Sequence, residues 1–169
     1  MPNYLSFYLN VTTKPFGIQV FDLNKNVIVE MNRFAFHDYL NIFSMKHTTL
    51  TGDDFHGLMG LGERVLENSL WYETGVYSMW NRGDTPKVDT GRPAGGNLYG
   101  THPFYMYRAN LPTWVGVYQN VPHAQDWYVH NDKDKGVIGT TMVAAGGVMD
   151  LTVLLASTPT EIIKLFHRF

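Results

Sequence analysis

The sequence contains no cysteine among its 169 residues. Disulfides, thiolate nucleophiles and zinc–cysteine centres are therefore excluded, and a reducing compartment is permitted without being required. Charge is also sparse: Asp, Glu, Lys and Arg supply 17% of the residues, against about 25% in an ordinary domain. The 13 basic and 15 acidic side chains leave a formal net charge of -2, and no basic block stands out to neutralise phosphates. Nucleic acid is not an expected partner. No apolar run approaches the roughly 18 residues of a membrane span, and the longest candidate, near residues 148–156, is strand-length. Met1-Pro2-Asn3-Tyr4 opens directly into alternation, without the basic and apolar regions of a signal peptide.

What the sequence has in quantity is rings. Ten Tyr, ten Phe and four Trp make up 14% of the chain, which points to a ring-rich core or to a large contact surface. The low charge favours the contact surface. The length suits one domain over residues 1–169.

Residues 4–12, 16–22 and 27–31 read as short strands, with Lys14-Pro15 and residues 23–26 as turns, the latter a hairpin. The aromatic stretch 34–43 fits neither period. Residues 55–63 return to strand character, with glycines at 57, 60 and 62 for a bulge or a close backbone approach. A short helical turn is expected within 64–70, a strand over 76–80, and a long Gly- and Pro-bearing loop over 81–100. Strands follow at 104–109, 114–119, 126–129, 137–144 and 148–156, joined by hairpin-length connections that argue an antiparallel sheet. Thr158, Pro159 and Glu161 form a capping box ahead of an amphipathic turn, so a helix starts there. The fold class is an all-β antiparallel sandwich with a short C-terminal helix.

The seven histidines show no HxH or HExxH spacing, so neither a metal nor another cofactor is expected. His102 is read as fixing the return of the long loop to the sheet. Gly60-Leu61-Gly62-Glu63 lacks the Lys-Ser/Thr end of a phosphate loop, and no serine lies in a GxSxG frame. Glu63, Asp84, Asp89, Asp126 and Asp150 are the carboxylates to consider for glycoside chemistry, which needs two facing each other across a sugar. Trp71, Trp80, Trp114 and Trp127 are candidates for sugar stacking or, more commonly, for the core. Asn10-Val11-Thr12 is an N-glycosylation sequon, of use only on the secretory route.

Gly60-Leu61-Gly62-Glu63, Tyr77-Ser78-Met79-Trp80-Asn81-Arg82, Asn97-Leu98-Tyr99-Gly100-Thr101-His102-Pro103-Phe104-Tyr105, Gly146-Gly147-Val148-Met149-Asp150 and Thr158-Pro159-Thr160-Glu161 follow one another in a recognisable order and spacing. In that order the chain resembles the N-terminal β-sandwich domain of glycoside hydrolase family 31, the α-glucosidases. The resemblance implies a galactose-mutarotase-like sandwich that belongs to a larger glycosidase. It further implies a partner: a (β/α)8 barrel on another chain, bearing the nucleophile and acid/base, so no catalytic residue is transferred to this chain. In the family, one N-terminal loop after Trp-Asn-Arg brings an Asp to the sugar. Here Gly83 either replaces that Asp or is inserted before it; read as an insertion, it makes Asp84 the sugar contact, with Arg82 and Thr85 beside it. An α-glucoside or α-glucan is the implied substrate, and a lysosomal, secreted or endoplasmic-reticulum setting the implied location. The alternative is a family-derived carbohydrate-binding or protein-assembly module without hydrolysis.

Overall fold

A computed structural model describes residues 8–13, 16–22, 24–37, 40–64, 70–80, 97, 100–109 and 113–168. Two antiparallel sheets face each other. The larger takes the order β1 (Tyr8–Thr13), β2 (Phe16–Phe21), β3 (Val27–His37), β4 (Leu40–Thr48), then β10 (Val137–Ala144), β9 (Gln125–Asp132) and β6 (Gly75–Met79). The smaller runs β11 (Leu151–Ala156), β8 (Trp114–Gln119), β7 (Phe104–Arg108), β5 (Leu58–Gly60). One helix, α1 (Pro159–Phe166), follows the last strand. The chain is thus an all-β sandwich, as its alternation implies. The hairpin-length connections do not all build one sheet, however: the chain changes sheets between β8 and β9 and again between β10 and β11.

Alternation sets which side chains meet. In β4, Asn41, Phe43, Met45 and His47 point inward; in β10, Ile138, Thr140, Met142 and Ala144 do. Residues facing each other in register, such as Phe43 with Met142, share the same face. β7 breaks the alternation, and Phe104, Tyr105, Met106 and Tyr107 are all buried. Both faces of this strand are covered. Tyr105 and Tyr107 enter the core between the sheets, whereas Phe104 and Met106 lie under α1 with Leu154, Ala156 and Ile162. The helix begins as its capping box requires, the Thr158 side chain accepting from the Glu161 amide at 3.2 Å while the Glu161 carboxylate accepts from the Ser157 amide at 3.1 Å.

Among the described residues the rings serve the core more than the surface, contrary to the expectation from low charge. Trp127, Tyr105, Tyr107 and Phe43 are among the largest fully buried side chains. The ambiguous stretch 34–43 is the end of β3 and the start of β4. A register shift between Met31 and Arg33 leaves Asn32 without a partner in the ladder, so the inward face moves by one residue and the period-2 signal is lost. Residues 65–69, where a helical turn is expected, lie outside the described residues.

Candidate functional site

Arg82, Asp84 and Thr85 lie outside the described residues, but the two points from which their segment departs do not. Trp80 follows β6, and Asn97 stands in an isolated antiparallel bridge with Arg64. The Asn97 side-chain amide donates to the Trp80 carbonyl. Arg64 donates from Nη2 to the Ser78 carbonyl and from Nε to the Leu61 carbonyl at 3.0 Å. β6 pairs with β9 on its other side. The carbonyls of Ser78 and Trp80, two residues apart at this border of the sheet, are thus each met by a side-chain donor.

The Arg64 guanidinium lies 5.7 Å from the centre of the Tyr77 ring and hydrogen-bonds Tyr72. Burial pulls the Arg64 pKa down, and the neighbouring tyrosines oppose that shift. Burial also pushes the Tyr72 hydroxyl up to about 12. Tyr72 stays protonated and donates to the Gly60 carbonyl. Gly60 and Leu61 both take positive φ, +129° and +57°. A Cβ at Gly60 would stand 2.4 Å from the Phe104 carbonyl oxygen, so the approach of β5 to β7 requires glycine there. These glycines thus serve close backbone approach, one of the two roles their spacing implies.

An open depression of about 500 Å3 lies beside this region, lined by Gly60, Gly62, Glu63, Thr101, His102 and Phe104 among others. The His102 ring sits against Phe166 at 5.2 Å and Phe104 at 5.9 Å, and burial together with His167 lowers its pKa. His102 thus ties the entry to β7 to α1. Of the other carboxylates, Asp150 accepts from the Asn120 side chain at 3.0 Å, and Asp126 lies on β9 of the opposite sheet. Among the described residues no group of three His, Cys, Asp or Glu gathers to hold a metal ion.

The four tryptophans separate clearly. Trp127 is fully buried and donates to Gln125 at 2.8 Å. Trp71 stacks against His56 and Trp114, with ring centroids at 5.1 and 6.3 Å. Trp80, at 58% exposure, is the one that offers a large open surface, and it stands at the root of segment 81–96. Asn10 is exposed on the outermost strand β1, donating to Gln19 at 3.2 Å. Arg64 and Asn97 are the contributors that composition and motif spacing did not single out. Their signal was indirect: Arg64 directly follows the Gly-Leu-Gly-Glu bend, and Asn97 opens the Asn-Leu-Tyr-Gly-Thr-His-Pro-Phe run.

No family model matches the chain. By sequence it is 29% identical to a lysosomal acid alpha-glucosidase of Tetrahymena pyriformis over 166 residues, covering 97% of this chain and 16% of that protein. It is also 29% identical over 156 residues to a probable alpha/beta-glucosidase of Arthroderma benhamiae, covering 90% of this chain and 17% of that protein. The chain thus spans about a sixth of the length of these curated relatives. In fold it is similar to a Flavobacterium johnsoniae GH31 dextranase complexed with isomaltotriose, with a TM-score of 0.68, 18% identity, and coverage of 96% of this chain and 18% of that one. A glucosidase II alpha subunit gives a TM-score of 0.66 at 14% identity over 93% of this chain and 21% of that one. Along nearly its whole length the chain is thus similar in sequence to parts of these α-glucosidases, and in fold to a β-sandwich found in glycoside hydrolase family 31 enzymes.

Proposed function

We propose that this chain is the N-terminal, non-catalytic part of an α-glucosidase and lends a substrate-contacting loop to a (β/α)8 barrel on another chain. A glycosidase-related role follows from the relatives; the division of labour is the inference. Hydrolysis of the α-glucosidic bond is then the work of carboxylates on the barrel, and none is assigned here. The loop 81–96 presents Asp84 to a sugar hydroxyl, with Arg82 and Thr85 beside it. The observation that supports this most is the fastening of both loop ends at one place, Trp80 to Asn97, with the exposed Trp80 ring at the root. A short, fixed base holds a contact where the sugar arrives, which is what positioning requires.

A charged acceptor on a sugar hydroxyl is worth about 1.5 to 3 kcal/mol. Asp84→Ala in the assembled enzyme is therefore expected to raise KM for an α-glucoside about tenfold or more, measured by steady-state kinetics. Unchanged kinetics would remove Asp84 from the site. Turnover of the α-glucoside by the purified chain alone would overturn the division of labour.

A further inference from the structure

We propose that Arg64 and Asn97 are positioning residues that set where segment 81–96 leaves the sandwich. The inference rests on the reading above for what the segment does, and on observed contacts for how its ends are held. Five observations converge. The Ser78 and Trp80 carbonyls lie two residues apart at the end of β6, the border strand of its sheet, where main-chain groups usually bond water or another chain. Each instead receives a side-chain donor, from Arg64 and Asn97 respectively. The backbones of these two donors are themselves bridged, so both ends of the segment meet in one hydrogen-bonded unit.

The fourth observation is the bend that delivers Arg64. Leu61 is a non-glycine residue at φ +57°, fully buried, with its amide donating to Phe104 at 2.7 Å and its carbonyl accepting from Arg64 Nε. A branched residue in the left-handed region is strained and persists only where its surroundings fix it. The fifth is the Asn97 side chain. It is 7% exposed, and its Oδ1 has no hydrogen-bond partner. An unsatisfied buried acceptor is unfavourable, so what recommends asparagine here is the reach of Nδ2 to Trp80. Strain and an unpaired acceptor in the same unit suit a role beyond closing a sheet edge.

The test uses the assembled enzyme with Asn97→Ala and Arg64→Lys, the latter keeping the charge but losing the two-pronged donation. Hydrogen exchange at Met79 and Trp80 and tryptic cleavage after Arg82 and Lys87 are expected to accelerate about tenfold in Asn97→Ala and less in Arg64→Lys. Exchange across β9 and β10 is expected to stay unchanged. KM for maltose should rise about tenfold with kcat within twofold, and Asn97→Ala should add little on top of Asp84→Ala. Unaltered exchange and cleavage in both variants would overturn the proposal, as would a loss of kcat that tracks falling thermal stability. If Asn97→Ala does not fold, Asn97→Ser, with its shorter donor, takes its place under the same criteria. Should Asp84→Ala leave KM unchanged while Asn97→Ala still loosens the segment, the sugar contact falls and the positioning unit stands.

Discussion

His47 shows how much one buried side chain can govern. Its Nε2 lies 3.0 Å from the Thr140 hydroxyl and 2.9 Å from that of Tyr105, while Nδ1 has no partner. Burial holds its pKa down at about 3, whereas an unfolded chain would titrate near 6.5. The unfolded state therefore takes up this proton first, so the stability tied to neutral His47 is complete above pH 6.5 and drains away as the pH falls toward 3. Between pH 7 and pH 4.5 the loss through this residue should be roughly 2 to 3 kcal/mol. Urea melts across that range should show a flatter acid limb in His47→Gln; an equally steep limb would place the acid sensitivity elsewhere. Nothing in the sequence distinguished His47 from the other six histidines, because its surroundings come from Tyr105 on the facing sheet and Thr140 on the neighbouring strand. His102 was legible, since its neighbours in sequence, Pro103 and Phe104, already placed it at a return to a strand.

Elements were more readable than single residues wherever the local pattern and the tertiary setting agreed. The strands at 114–119 and 137–144 are where strand length and β-branched or aromatic content put them, and the Thr158 cap and Pro159 start of α1 follow from local chemistry alone. The strand expected from 148 begins at Leu151 instead, because Gly146 and Gly147 take positive φ and carry Val148 outward. β3 and β4 were underestimated because a bulge shifts the phase of the pattern. The seat of α1 was not readable, because it depends on a glycine in a different element. A Cβ at Gly116 would come within 2.6 Å of Ile162 Cγ2 and 3.1 Å of the Phe104 ring. Gly116→Val should therefore cost about 1 to 3 kcal/mol and speed hydrogen exchange in α1 ahead of the core strands. Ile162→Ala on that background should return part of the lost protection, and its failure to do so would mean that the helix is not seated on Gly116.

At the scale of the molecule, one continuous core runs between the sheets, from Val20 and Val29 through Phe43, Met142 and Trp127 to Tyr77 on one side, facing Tyr105, Tyr107 and Val117 on the other. Strands distant in sequence pair within the larger sheet, β4 with β10 and β6 with β9. Such non-local pairing predicts slow, cooperative folding, in milliseconds to seconds. Near- and far-ultraviolet circular dichroism should trace a single coincident transition in urea; separated midpoints would show that the sheets unfold independently. The sandwich was foreseeable from strand lengths and turn chemistry, and the likeness to α-glucosidases from ordered motifs. The way the loop base is tied was not, since Arg64, Ser78, Trp80 and Asn97 come together only through the fold.

The fastening of β6 also gives the larger sheet a direction of growth. With Ser78 and Trp80 already served by Arg64 and Asn97, addition of a strand is disfavoured at β6, and among the described strands the opposite border of the larger sheet is β1. Asn10, exposed on β1, stands on that border. A glycan attached there would stand at the border opposite to the one that Arg64 and Asn97 serve.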